Sequence, residues 1–396
     1  MLKIAVINAG SPQPILRTIA LARFCTISTF IEVGPETANH ALLREAGIAV
    51  DFVPQRSHFG LPHLVARLKQ ESADAYVCHY AAGSHVYATL LARRRPLALV
   101  AMGNDILYDA GDRTIPRFEA RTIRIAARQA DFISCKSVFL TRRLQEWGVQ
   151  CPLDVNYWGV DHSVFSPGDR MAARRSLGLP LDARVALSMR AFEPRCNIHL
   201  VARAFLEVAQ EFPDLHLVFV GAPTFPRYAG KIREIIGASG LSSRSHFSLS
   251  VGVKEMVSYY RAADVAVSVG SAEGFPNSVL EMLACKTPVI VGRIPQIEEL
   301  LTDGENARFC DLTESSIANG MRWMLDPGNR RTMEQIGDAG LAVSRESADI
   351  VANARRFASR LEELERPARG NAPAQLMGAL ALGFMGRMFA RRGHDR

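Results

Sequence analysis

No stretch of this 396-residue chain reaches the roughly 18 consecutive apolar residues that a membrane-crossing helix needs, although 48% of the sequence is apolar. The apolar residues come in short runs instead, and there are enough of them for two cores. The seven cysteines (25, 78, 135, 151, 196, 285 and 310) form no C-x-x-C pair. Their odd number and scatter exclude a disulfide scaffold and a cysteine-rich zinc site, and they read as reduced core thiols. No two aspartates stand two positions apart, so the D-x-D device for holding a metal against a diphosphate is missing. There is no zinc-finger spacing, no aromatic strand of RNA-binding type and no basic arm, so no nucleic-acid partner is expected. The opening M-L-K-I-A-V-I-N runs straight into a strand pattern, so no cleavable leader is expected. These absences together lead to the expectation of a cytoplasmic protein.

What is present begins with charge. A formal net charge of +7 and a pI near 9.2 favour anionic partners such as phosphates, nucleotides or an acidic membrane surface. An ordinary basic soluble protein has the same balance. Strand-like and helix-like runs alternate nearly throughout, the pattern of parallel, doubly wound α/β sheets. In the first half strands are expected at 3–8, 27–33, 49–53, 75–79, 97–102 and 132–134, with helices among them at 61–70, 84–94, 116–130 and 137–147. In the second half strands are expected at 185–188, 215–220, 246–249, 265–269 and 288–291, with helices at 198–211, 254–263, 278–285 and 317–326. The helix-poor segment 157–168, Y-W-G-V-D-H-S-V-F-S-P-G, reads as a linker. Ligands of such sheets bind at the carboxyl ends of the strands.

The densest chemistry lies at 271–290, S-A-E-G-F-P-N-S-V-L-E-M-L-A-C-K-T-P-V-I. Glu273 and Glu281 stand eight positions apart around a turn that follows one strand and opens a helix. The residues Gly274, Phe275, Pro276, Asn277 and Ser278 lead into that helix, whose free N–H groups and positive dipole end suit an anion. Asn277 or Ser278 is expected to be its N-cap. Upstream, M-R-A-F-E-P-R-C-N-I at 189–198 sets Arg190 and Arg195 just beyond a strand end. Two fixed cations there suit a departing diphosphate, whose developing charge needs stabilising. Arg at both places supplies bidentate geometry. The plainer readings are surface arginines and carboxylates that merely favour a helix N-terminus.

These pieces, with W-G-V-D-H-S-V-F-S-P at 158–167, L-H-L-V-F-V-G at 215–221, Y-R-A-A-D at 260–264 and L-T-D-G-E-N at 301–306, occur in one order. The series resembles the retaining glycosyltransferases of family 4, which have the GT-B fold, and the resemblance covers most of 155–345. It implies two Rossmann-like domains facing across a cleft. The expected division is 1–157 on the acceptor side, 158–345 for nucleotide-sugar binding, 346–368 as helices crossing back to the first domain and 369–396 as a basic, apolar tail. The resemblance also implies that Glu273 holds hydroxyls of the donor sugar, that Glu281 holds the ribose diol, and that Arg190 and Arg195 clamp the diphosphate. No metal and no cofactor are expected beyond the nucleotide-diphosphate sugar itself.

The first half departs further from that pattern. V-I-N-A-G-S-P-Q at 6–13 looks like the glycine loop near diphosphate and acceptor, with Gly10 followed by Ser11. L-V-A-M-G-N-D-I at 99–106 looks like a strand ending in H-G-S-D, with Met102 where the family carries His. Asp105 is the remaining polar candidate for catalysis, with a helix N-cap as its structural alternative. His79, at the same sheet edge, reads as a core histidine. Arg113, Arg117, Arg121, Arg124 and Arg128 share one helical face. Residues 1–157 carry 18 Lys+Arg against 13 Asp+Glu, so +5 of the +7 lies there. A solvated face explains this, and so does contact with the anionic inner face of the cell membrane, which would present a glycan or lipid-linked acceptor. The tail run L-M-G-A-L-A-L-G-F-M-G at 376–386 is too short to span and suits either an interface or a closing helix. The expected activity is metal-independent, retaining transfer from a nucleotide sugar, in cell-surface polysaccharide or glycolipid synthesis. Two rivals stay open: a non-catalytic binding or scaffold protein, motivated by Met102, and a sugar-nucleotide epimerase of the same fold.

Overall fold

The computed structural model describes residues 1–10, 13–54, 60–107, 117–249, 251–364 and 378. The chain divides into two compact units. The first holds residues up to Trp158 and resumes at Val351, and the second runs from Gly159 to Ile350.

In the first unit β1 (Lys3–Asn8), α1 (Gln13–Leu21), β2 (Thr26–Val33), α2 (His40–Glu45), β3 (Val50–Val53), α3 (Gly60–Gln70) and β4 (Ala75–His79) are followed by α4 (Ser84–Leu91), β5 (Leu97–Ala101), α5 (Arg117–Arg128), β6 (Phe132–Cys135), α6 (Val138–Glu146) and β7 (Leu153–Val155). The strands pair in parallel in the order β3-β2-β1-β4-β5-β6-β7. The order reverses between β1 and β4, the switch point at which an open parallel sheet binds its ligand. β4 and β5 are buried at every position because helices cover both faces, which is why their sequences are continuously apolar rather than alternating.

The second unit comprises α7 (Arg170–Leu177), β8 (Arg184–Met189), α8 (Ile198–Val208), β9 (Leu215–Val220), α9 (Pro226–Gly237), β10 (Ser245–Ser248), α10 (Val253–Ala262), β11 (Val265–Ser268), α11 (Asn277–Ala284), β12 (Val289–Gly292), α12 (Pro295–Glu298), β13 (Arg308–Cys310), α13 (Glu314–Leu325) and α14 (Arg330–Ser347). Its sheet is also parallel, ordered β10-β9-β8-β11-β12-β13, with the switch between β8 and β11. Phe192, Phe205, Phe219, Val267 and Met321 fill its core. Local signals fix the helix ends. The Asp169 carboxylate accepts from the N–H groups of Met171 and Ala172 to start α7, and Gly178 in the left-handed conformation stops it. The Thr313 hydroxyl caps α13 in the same way.

A last helix, α15 (Ile350–Glu362), belongs almost wholly to the first unit. Its Phe357 packs on Trp158, with ring centroids 4.8 Å apart, and on Phe132 at 5.7 Å. Gly159 has no room for a side chain, because a Cβ would lie 1.8 Å from the Ala348 carbonyl oxygen.

Strands β7 and β13 were not anticipated. Each is a three-residue sheet edge and too short to show a pattern. On α5, Arg121, Arg124 and Arg128 are exposed opposite buried Ile123, Ala126 and Ala127. Two of them pack on Trp147: the Arg124 guanidinium lies over its ring, and Arg128 Nε donates to its carbonyl. Arg113, the Arg117 side chain and, apart from Gly378, the tail 369–396 lie outside the described residues. Among the described residues no helix is long and apolar enough to cross a membrane.

Candidate functional site

The second unit gathers its polar residues at the β8/β11 switch point. β8 ends in buried Met189 and delivers Arg190, and β11 ends before Gly270 and delivers Glu273. The two loops are laced together. Ser271 N–H donates to the Arg195 carbonyl at 2.9 Å, and Asn197 Nδ2 donates to the Val269 carbonyl at 2.9 Å. Asn197 holds a left-handed conformation (φ 52°) between a single 3-10 turn and α8. Gly221, at the end of β9, is required because a Cβ would stand 2.0 Å from the Arg190 carbonyl oxygen.

Within that frame Arg190 Nη2 donates to Glu273 Oε1, and its Nη1 donates to Ser278 Oγ at 3.3 Å. Its Nε is buried and has no partner. Arg195 Nη1 lies 3.8 Å from the same Glu273 oxygen and donates to the Ala272 carbonyl at 3.3 Å, while its Nε donates to Glu193 at 2.6 Å. Burial opposes the Arg190 charge, but the Glu273 carboxylate, helped by Cys196 and Glu193, outweighs it and raises the guanidinium pKa. The arginines therefore form a charge-balanced cluster, not a bare pair of cations. An incoming anion would share Arg190 with Glu273.

α11 begins behind this cluster. Asn277 and Ser278 lie inside the helix, and Pro276 stands at the cap position without a side-chain bond, which corrects the expected Asn277 or Ser278 cap. Pro276 fits there because its missing N–H is not needed. Phe275 is fully buried, and Gly274 and Pro276 are buried with it. One turn into the helix, Glu281 Oε2 accepts from the Tyr260 hydroxyl at 2.6 Å. Burial first, and Glu281 second, push the Tyr260 pKa well up, so this hydroxyl is a fixed donor. Tyr260, Glu193 and Asn197 escaped sequence reasoning. Only the polar Y-R-A-A-D run hinted at the first.

The first unit holds the remaining expected residues, Gly10, Ser11 and Asp105. Gly10 is exposed at φ 74° beside the β1/β4 switch, but its N–H donates to Glu32 Oε1 at 2.7 Å and is taken. Ser11 lies outside the described residues. Asp105, the polar candidate at the end of β5, is bonded to backbone. It is 7% exposed, and its carboxylate accepts from the N–H groups of Ala81 (2.6 Å), Met102 (3.0 Å) and Gly103 (2.8 Å). Burial raises its pKa against the pull of those bonds. It ties the ends of β4 and β5 together, and residues 104–106 form a turn. Buried His79 has its pKa held well down, first by burial and then by Arg17 and His85. Met102 Sδ receives Arg17 Nη1 at 2.9 Å, and the same guanidinium lies over Trp158. Buried Arg17 was also missed, although an arginine within the apolar helix I-L-R-T-I-A-L was its signal. Among the described residues no cluster of three or more His, Cys, Asp or Glu is placed to hold a metal.

Residues 169–340 match the family described as glycosyl transferases group 1. That stretch is similar to the group 1 glycosyl transferases and lies within the second unit. The chain is 31% identical over 179 residues to the D-inositol 3-phosphate glycosyltransferase of Acidothermus cellulolyticus, covering 43% of this chain and 40% of that protein. The homologue of the same name from Mycobacterium tuberculosis strain H37Ra is 32% identical over 155 residues, covering 38% and 31%. The chain thus aligns with less than half the length of these relatives. Among solved structures, HepE of Anabaena in complex with UDP-glucose superposes with a TM-score of 0.79 at 18% identity, over 92% of this chain and 100% of that one. Sucrose-phosphate synthase of Thermosynechococcus elongatus gives 0.76 at 18% identity, over 92% and 99%. At such identities the likeness concerns the fold, and the chain has the α/β architecture of two parallel sheets seen in GT-B proteins.

Proposed function

We propose that this protein is a retaining, metal-independent glycosyltransferase of family 4 type that takes a nucleotide-diphosphate sugar as donor. The observation that carries the reading is the convergence of Arg190, Arg195, Glu273 and Ser278 at the β8/β11 switch, one helical turn from Glu281. Arg190 and Arg195 hold the diphosphate, Glu273 the sugar hydroxyls and Glu281 the ribose diol, and the N-terminal end of α11 faces the phosphates. In the reaction the anomeric C–O bond breaks and its electron pair leaves with the nucleoside diphosphate, stabilised by the two guanidinium groups. The acceptor hydroxyl enters on the same face and passes its proton to the departing phosphate oxygen. No carboxylate has to move a proton, which is consistent with Asp105 being committed to backbone. The UDP-glucose in complex with HepE and the inositol phosphate in the relatives' names lend support by analogy, and the absence of D-x-D from the sequence supports metal independence.

On the acceptor side we favour a glycan or lipid-linked acceptor in cell-surface polysaccharide or glycolipid synthesis, met at the cytoplasmic face of an anionic membrane. The exposed Arg121, Arg124 and Arg128 support that placement. The deciding experiment incubates purified protein with a panel of sugar nucleotides and follows release of free nucleoside diphosphate, with and without EDTA. One donor should turn over slowly without acceptor, EDTA should leave the rate unchanged, and Glu281→Ala should abolish it. If no donor binds, the scaffold alternative wins. Loss in EDTA that Mg²⁺ restores ends the metal-independent reading. For the membrane, flotation with anionic and neutral vesicles should separate, and equal flotation rejects the contact.

A further inference from the structure

Arg190, Arg195, Glu193, Glu273 and Ser278 all belong to the second unit. Both arginines meet the same oxygen of Glu273: Oε1 accepts from Arg190 Nη2 and lies 3.8 Å from Arg195 Nη1. Among the described residues no hydrogen bond reaches Glu273 Oε2. Gly270 makes this placement possible, because a Cβ there would stand 2.7 Å from Oε1 and 3.1 Å from Cγ of Glu273. Arg195 has a further carboxylate, Glu193, 2.6 Å from its Nε. Among the described residues Arg190 has one ion pair, with Glu273, beside its bond to Ser278 Oγ at 3.3 Å. A diphosphate that takes hold of Arg190 must therefore compete with Glu273.

Two guanidinium groups by themselves would rank donor and product the wrong way round. Loss of the sugar turns a phosphate ester into a free terminal phosphate. The product thus carries more negative charge than the donor and is drawn more strongly to fixed cations. A carboxylate already seated on Arg190 changes the comparison, because specificity is a difference between two affinities and a repulsive group can set it. A sugar nucleotide brings hydroxyls that donate to Glu273 as its oxygen leaves Arg190. A bare nucleoside diphosphate brings none to that position. It leaves the mostly buried carboxylate without a donor and facing the phosphates, which is costly. We propose that Glu273 is a specificity-determining residue that discriminates against the spent nucleoside diphosphate, yielding Arg190 to the phosphates only when sugar hydroxyls replace the guanidinium. This rests on the donor reading above and adds to it a physical reason for the product to leave.

The test is a calorimetric titration of the full chain with UDP, GDP and ADP and with a panel of sugar esters of each. It reads the ratio of ester to diphosphate affinity for the base that binds. In the wild type the tightest ester should bind at least as well as its own diphosphate, despite the larger charge of the latter. A diphosphate that binds more tightly than every ester overturns the proposal, and this comparison needs no variant. Glu273→Gln keeps an acceptor for Arg190 and removes the charge. It should tighten the diphosphate by about tenfold and move the ratio toward the diphosphate by about that factor. An unchanged ratio, or a weaker diphosphate, overturns the proposal. Glu193→Gln controls for charge alone, since that carboxylate is committed to Arg195 Nε. It should tighten both ligands together and leave the ratio as it was. A ratio shift equal to that of Glu273→Gln rejects the sugar-sensing role. If neither diphosphate nor ester binds the wild type, the donor reading fails and the proposal falls with it. If both bind and Glu273→Gln leaves the ratio unmoved, the donor reading stands and the proposal alone is rejected.

Discussion

Arg190 and Glu273 are each little more than one-tenth exposed, and each is the other's counterion. Removing either one strands a buried charge, so single substitutions mix a stability loss with a loss of chemistry. Arg190→Ala is expected to destabilise the second unit by about 3 kcal/mol and to cut kcat/KM by about a hundredfold or more. Adding Glu273→Gln to it should recover most of the stability in denaturant unfolding and none of the activity. Recovery of both would mean that Arg190 only neutralises Glu273. This coupling was invisible in the sequence. Arg190, Glu273 and Glu281 stood out by motif, but nothing in their spacing said that Arg190 would bond to Glu273, or that Asp105 would spend its oxygens on three backbone N–H groups. Partner choice depends on loop geometry, and the sequence encodes loop geometry only weakly.

The glycines that close the strand ends work differently from one another. A methyl at Gly221 would strike backbone, the Arg190 carbonyl at 2.0 Å, which cannot move without shifting β8. At Gly270 it would strike the Glu273 side chain at 2.7 Å, which can swing away. Gly221→Ala should therefore cost about 2 kcal/mol or more in folding. Gly270→Ala should fold nearly normally yet bind donor poorly, because Glu273 is displaced. Similar melting temperatures for the two variants would refute the distinction. Tyr260→Phe takes from Glu281 a part-buried, charge-assisted bond. It should cost about 1–2 kcal/mol and raise the KM for the nucleotide donor, as measured by unfolding and initial rates. At this scale the long apolar strands and amphipathic helices were legible in the sequence because periodicity over several residues reports burial. The three-residue edges β7 and β13 and the Pro276 start of α11 were not, because a short edge has no period and a proline at a helix start looks like a loop.

Across the molecule, alternation of strands and helices sufficed to give two parallel sheets, and parallel topology alone locates both switch points. Titration should distinguish the two units, because the first buries neutral histidines. His85 donates from Nε2 to the His79 carbonyl at 2.7 Å, and burial lowers its pKa to about 4. Burial also holds His79 well down, followed by the nearby Arg17 and His85. A histidine with a depressed folded pKa binds its proton more readily in the unfolded chain, where the pKa is about 6.5. Its contribution is thus complete above about pH 6.5 and is lost as pH falls from there toward about 4. For His85 alone this amounts to about 3 kcal/mol. In the second unit His216 and His246 are depressed as well, but both are only partly buried, so water screens the effect. Hydrogen exchange between pH 7 and 4.5 should therefore show the strands of the first unit losing protection before those of the second. His85→Gln, which keeps a donor without the titration, should flatten the pH response of the first unit. An unchanged response in that variant would place the acid sensitivity elsewhere.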